Sequence, residues 1–174
     1  MNEKLERLRI EWLDEATIPT MQEKMSNGEI TAEELTVMYL ETISKRNPNV
    51  NAVLELNPQA LQIAKGLDVE RKLTGARSLL HGIPVLLKDN MGTKDTLHTS
   101  CGSLGLKDCY SGEDAFLVKK LREAGAVILG KTNMTEWANF MSDQMPNGWS
   151  SKGGQVKNPY GFFDVGGSSS GAGA

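Results

Sequence analysis

Apolar positions Leu5, Leu8 and Trp12 recur every three or four residues between Lys4 and Glu15, among charged neighbours. That spacing predicts an amphipathic helix over 4–15 whose stripe packs on the body of the protein or docks a partner. Asn27-Gly28 interrupts the pattern with a turn, and Thr31 followed by Glu34 forms a capping box that opens a second helix. Leu35, Met38, Tyr39, Thr42 and Ile43 carry its apolar face. Asn47-Pro48 is expected to end it, because a residue before proline is driven out of helical torsions. Val50 to Leu56 then reads as a strand. Asn57-Pro58 opens a third helix with Ala60, Leu61, Ala64 and Leu67 facing inward. The polar stretch from Asp68 to Ser78 reads as an exposed connection.

Ile83 to Leu87 is a short apolar run of strand length, with Lys88-Asp89-Asn90 at its end. A long loop, Met91 to Gly112, leads to a predicted helix from Glu113 to Ala124, closed by Gly125. Ala126 to Leu129 reads as another strand and Thr132 to Phe140 as another helix. Strands alternating with helices at this spacing indicate an α/β fold, a mixed central sheet covered by helices. From Ser142 to Ala174 the pattern fades into Gly, Ser, Asn and Pro. The chain is read as an N-terminal helical segment, 1–30, and a body, 31–174.

Composition narrows the classes. The 174 residues fall in the single-domain range, and 24% charged residues with a net charge of -3 describe a slightly acidic surface. Nothing in that balance supplies the basic patch that nucleic acid needs. No run approaches the roughly 20 apolar residues of a membrane span, and the charged N-terminus lacks a signal peptide's apolar core. Cys101 and Cys109 fit neither a zinc pair nor a disulfide framework, so a reduced, cytoplasmic setting is expected. His81 and His98 are the only histidines. There is no GKS or GKT after a glycine loop and no GxSxG elbow. No metal or organic cofactor is implied, and a homo-oligomer is left open.

Two places carry chemistry. Lys88 ends an apolar strand, where burial disfavours the ammonium and a neutral amine can act as a base; the alternative is a surface lysine paired with Asp89. Gly166-Gly167-Ser168-Ser169-Ser170-Gly171 is a segment whose glycines allow close approach and whose serines can converge; the alternative is a flexible linker. The following GAGA and the preceding turn Asn158-Pro159-Tyr160 favour a structured segment. Thr99, Ser100 and Gly102 form either a small-residue loop at the site or a solvated turn. Met134, Trp137 and Phe140 fall at helical spacing, which suits core packing or the lining of a substrate pocket.

Taken together, HGIPVLLKDN, GEDAFLVKKLREAGAVILGKTNMTEWANF, GWSSKGGQVKNPY and VGGSSSGAGA closely resemble the amidase signature family, from about residue 31 to the end. The resemblance implies a Ser–Ser–Lys triad that hydrolyses small-molecule amides to a carboxylate and ammonia or an amine through an acyl-enzyme. Lys88 matches the general base. Ser168 matches the serine on a cis peptide that bridges lysine and nucleophile, and Ser169 an accompanying serine, with Gly166 and Gly167 supporting. Met134, Thr99 and Ser100 are candidates for the substrate pocket. The family's nucleophilic serine lies a couple of dozen residues beyond the glycine–serine motif, so residues 1–174 are expected to carry base and bridge without the nucleophile. TEWANF and GWSSKGGQ resemble stand-alone amidases more than the glutamine-hydrolysing component of the tRNA-dependent amidotransferase, which has the same triad. A truncated protein that binds without catalysis is the third reading.

Overall fold

A computed structural model describes residues 3–173 of the chain. Its helices are α1 (Glu3–Glu11), α2 (Ile18–Ser26), α3 (Ala32–Val50), α4 (Ala60–Thr74), α5 (Phe116–Glu123) and the short α6 (Ser170–Gly173). Its strands are β1 (Val53–Leu56), β2 (Pro84–Lys88), β3 (Val127–Thr132), β4 (Trp149–Ser150) and β5 (Gly154–Gln155). The larger sheet has the order β1-β3-β2. β1 runs antiparallel to β3, with Val53 opposite Thr132 and Leu56 opposite Gly130. On the other side Val127 N–H donates to Ile83 O and Asp89 N–H to Thr132 O, so β2 and β3 ascend together. The sheet is therefore mixed. β4 and β5 form a separate small hairpin.

The chain divides into two compact units. The first contains the residues up to Lys45, Pro58–Val85 and Lys119–Leu129. Its core includes Met21, Met25, Leu35, Met38, Ala64 and Leu67. The capping box of α3 forms as its sequence predicts, with Glu34 N–H on Thr31 Oγ1 at 3.0 Å and Thr31 N–H on the Glu34 carboxylate at 2.9 Å. Asp68 adds to this cap by accepting the N–H groups of Ala32 and Glu33 at 2.7 and 2.9 Å, where the helix leaves them without intrahelical partners. Asp68 to Thr74 therefore belongs to α4 and not to an exposed connection, because its polar side chains have work elsewhere in the unit. Arg71 reaches Gln22 and His81 O, each at 2.8 Å.

The second unit contains Arg46–Asn57, Leu86–Val118 and Gly130 onward. Here α3 runs past the expected stop and keeps Pro48 inside its last turn. Proline's fixed φ suits a helix; what it lacks is one N–H. The turn is held by Asn51 N–H on Asn47 O at 2.7 Å, while the Asn47 side chain accepts Val53 N–H and donates to Val53 O. β1 consequently starts at Val53, three residues later than the apolar pattern suggests. β3 is longer than expected and wholly buried, reaching Thr132. The helix expected over 132–140 is absent. A single 3-10 turn, Glu136–Asn139, stands there with Trp137, Ala138 and Asn139 at φ 50°, 55° and 70°.

Candidate active site

All the residues that follow lie within the second unit. Lys88 is the last residue of β2, and its Nζ is 2.7 Å from Ser168 Oγ, bringing together two residues 80 apart in sequence. Burial pushes the Lys88 pKa below its ordinary value of 10.5, partly opposed by the nearby Cys101. The Cys101 thiol moves the other way: burial, reinforced by Asp89, raises it above its ordinary value, with Lys131 and Lys88 opposing.

Asp89 does not pair with Lys88. Its carboxylate is fully buried and accepts from Ser100 Oγ and, at 2.9 Å, from Gly102 N–H, with Oδ1 left without a partner. Lys131, also fully buried, donates to Met91 O at 2.7 Å and Thr99 Oγ1 at 3.0 Å. Its burial lowers its pKa, against the raising influence of Asp89, Asp95 and Glu55. The loop from Thr99 to Gly102 is thus tied down from two sides, by Asp89 and by Lys131. Gly102 takes φ 75° there, and a Cβ on it would come within 2.8 Å of Ser150 Cβ. Burying a polar side chain costs free energy, which these bonds offset.

Gly166 and Gly167 both lie in the left-handed region, at φ 63° and 65°, and deliver Ser168 to Lys88. The first residue of α6, Ser170, has a buried hydroxyl without a partner, whereas Ser169 is exposed. The floor beneath is Asn133. Its N–H donates to Ala52 O at 2.8 Å and its carbonyl accepts Gly171 N–H at 3.0 Å. Gly171 has no room for a side chain, because a Cβ would press on Ala52 O and on Asn133 O and N.

Several expectations change here. The peptide bond entering Ser168 is trans, like every other among the described residues, so the cis-serine implied by the resemblance is not present in this structure. A non-proline cis bond costs about 3–4 kcal/mol and needs enforcing surroundings. Open space lies where side chains would stand on Gly166 and Gly167. Thr99 and Ser100 are committed to Lys131 and Asp89, and Met134 is 1% exposed, so these three pack the site's support. Trp137 and Phe140, spaced as though on a helix, are 39% and 92% exposed. The left-handed turn points them in directions other than those a helix would give.

Sequence reasoning took Asp89 only as the partner of a surface Lys88, and singled out none of Lys131, Asn133 and Thr135. The available signal was polar Lys131-Thr132-Asn133 ending an apolar strand, where polar groups stay buried only for a purpose. Chemically, a lysine of lowered pKa bonded to a serine hydroxyl is a proton acceptor with a built-in relay. No group of three or more His, Cys, Asp or Glu side chains that could hold a metal ion occurs among the described residues. None of the helices there is long and apolar enough to cross a membrane.

Known proteins share this arrangement of sequence and fold. The model of the Amidase family matches residues 34–174. An Arabidopsis thaliana protein described as a probable amidase is 49% identical over 85% of this chain and 29% of its own length. The crystal structure of the peptide amidase of Stenotrophomonas maltophilia superposes with a TM-score of 0.85 at 46% identity, over 90% of this chain and 33% of that one. A component of the glutamyl-tRNA(Gln) amidotransferase of an Azoarcus species is 37% identical over 91% of this chain and 31% of its own length. The chain thus spans about a third of the length of the relatives it matches. With a family match over most of its residues and the same fold as a solved amidase, this chain belongs to the amidase family.

Proposed function

We propose that residues 1–174 carry the base and the proton relay of an amidase that hydrolyses a carboxamide to a carboxylate and ammonia or an amine. The observation that carries this reading is the 2.7 Å contact between Lys88 Nζ and Ser168 Oγ in a member of the amidase family. Neutral Lys88 takes the proton of Ser168 Oγ as Ser168 takes that of a serine supplied by the rest of the enzyme. That serine attacks the carbonyl carbon. The proton returns along the same path to the departing nitrogen as the C–N bond breaks, leaving an acyl-enzyme. Water, deprotonated by the same relay, then releases the carboxylate. Free Cys101 and Cys109 fit the reducing interior of a cell, where we place the enzyme.

The test is ammonia release by the full-length enzyme from a panel of small amides. Peptide amides belong in it because of the likeness to the peptide amidase. Lys88→Ala is expected to lower turnover by about 10²–10⁴ without changing the melting temperature by more than a few degrees. Lys88→Arg should fail equally, because a guanidinium keeps its proton near neutral pH. Near-normal turnover by the arginine variant would remove Lys88 from the role of base. The glutamine-hydrolysing reading draws on the 37% identity to the amidotransferase component, below the 49% shared with the plant amidase. Glutamine as the best substrate, together with a co-purifying partner protein, would favour it instead.

A further inference from the structure

Thr135 lies three residues beyond β3 and is fully buried. Its backbone N–H donates to Ser168 O at 3.2 Å, and its hydroxyl donates to Gly167 O at 3.1 Å. The same hydroxyl oxygen accepts Gly148 N–H at 2.7 Å, so its hydrogen-bonding capacity is used in both directions. One residue therefore holds two successive carbonyls, the one before Ser168 and the one of Ser168 itself. These carbonyls define the peptide planes on either side of the Ser168 Cα, and with them the direction in which Oγ points.

The need for such a clamp is visible in the segment itself. Gly166 and Gly167 have broad torsional freedom, and open space lies where their Cβ atoms would be. Left to itself, a glycine pair of this kind would let Ser168 swing. Thr135 is in turn held at both flanks. Asn133 is locked to Ala52 and Gly171, and Trp137 N–H donates to Cys101 O at 3.0 Å. Cys101 belongs to the loop that Asp89 anchors, and Asp89 is the residue after Lys88. A closed circuit of bonds thus runs from Lys88 through Asp89, the Cys101 loop, Thr135 and the Gly167 and Ser168 carbonyls back to the lysine.

We infer that Thr135 is a positioning residue that aims Ser168 at Lys88 by holding the Gly167 and Ser168 carbonyls. It rests on the reading that Ser168 relays a proton to Lys88. Thr135 touches no reacting atom, so its effect is on geometry. A displacement of about 1 Å in a reacting group is worth up to about 10²-fold in rate.

The experiment compares Thr135→Val and Thr135→Ser with Lys88→Ala in the full-length enzyme, recording kcat, KM, the pH profile and thermal melting. Valine keeps the shape and removes the hydroxyl. It is expected to lower kcat about 10- to 100-fold with KM changed less than about threefold. It should also move the acid limb of the profile to higher pH, because a loosened Ser168 lets water resolvate the Lys88 ammonium. Serine restores the hydroxyl, and with it turnover to within about threefold of the parent and the parent's limb. Should the valine protein not fold, the alanine variant, which removes the same hydroxyl without adding a methyl, is read in its place. Parent-like kcat and pH profile in the valine variant would overturn the inference, as would a serine variant as impaired as valine, or loss of fold in both valine and alanine variants. If Lys88→Ala keeps its turnover, it is the proton-relay reading that has failed, and this inference falls with it.

Discussion

Lys88 is a strong base by its chemistry and an ineffective one while protonated, so its environment decides whether it works at all. Burial lowers its pKa from 10.5, which places the acid limb of kcat/KM below the position an exposed lysine would give. The sign follows from the form required. Turnover is lost below the folded-state pKa, rises through it and levels above it. The fold disfavours the ammonium, so stability also rises with pH between the lowered value and 10.5. A pH profile of the full-length enzyme checks this, and a limb at 10.5 or above would contradict it. The lysine at a strand end was legible in sequence because an apolar run pointed to it. Asp89 was read only as a surface partner for Lys88, and Lys131 was passed over although it too ends an apolar run; both are entirely buried. Thr135 was hidden by a mistaken period: Met134, Trp137 and Phe140 imitate a helix in a segment that turns left-handed.

At the scale of elements, the pairing of β1 with β3 places the polar end of β3 under the site. Gly130 lies opposite Leu56, and a Cβ on it would press on Glu55 O and come within 3.1 Å of the Leu56 Cα. Backbone cannot swing aside as a long side chain can. Gly130→Ala is therefore expected to destabilise the protein by about 1–3 kcal/mol, read as a lower urea midpoint at unchanged slope. An unchanged midpoint would mean that the β1–β3 ladder is looser than its register implies. The Thr31–Glu34 box was legible in sequence, whereas Asn57-Pro58 does not cap α4, which starts at Ala60 behind Gln59. Ends governed by partners distant in sequence were not legible. Asp68 is drawn into the cap of α3, 36 residues away, and Pro48 is tolerated because Asn47 rebuilds the turn around it.

For the molecule as a whole, the sheet order β1-β3-β2 leaves β1 and β2 as its edges among the described residues. Elsewhere Tyr160, Phe162 and Phe163 are 89%, 111% and 69% exposed beside a groove that includes Val50, Val156 and Val165. Unpaired edges and exposed aromatic groups template association. Purified by itself, the 174-residue chain is expected to elute from a size-exclusion column ahead of a compact 19.0 kDa monomer and to release ammonia from amides only at the uncatalysed rate. Multiple turnover by that chain, abolished by Ser168→Ala, would require a nucleophile within these residues and would contradict the proposed division of labour. The α/β class was legible from alternating periods; this surface was not, because exposure of an aromatic residue is decided by what covers it.

The way the two units share the chain also sets a timetable for synthesis. The first includes Lys119–Leu129, although its opening stretch ends at Lys45 and its middle one at Val85. At about 5–20 residues per second, the first helices therefore wait several seconds on the ribosome for their last partner. During that interval Met21, Met25, Leu35 and Met38, all buried in the finished unit, have no completed core to enter. Meanwhile the Glu, Lys and Arg residues along α1 and the Glu residues at the start of α3 oppose association of the early chain by their charge. Codon changes that slow elongation between Val85 and Lys119 would lengthen the exposure of these methionines, while the same changes after Leu129 would leave it untouched.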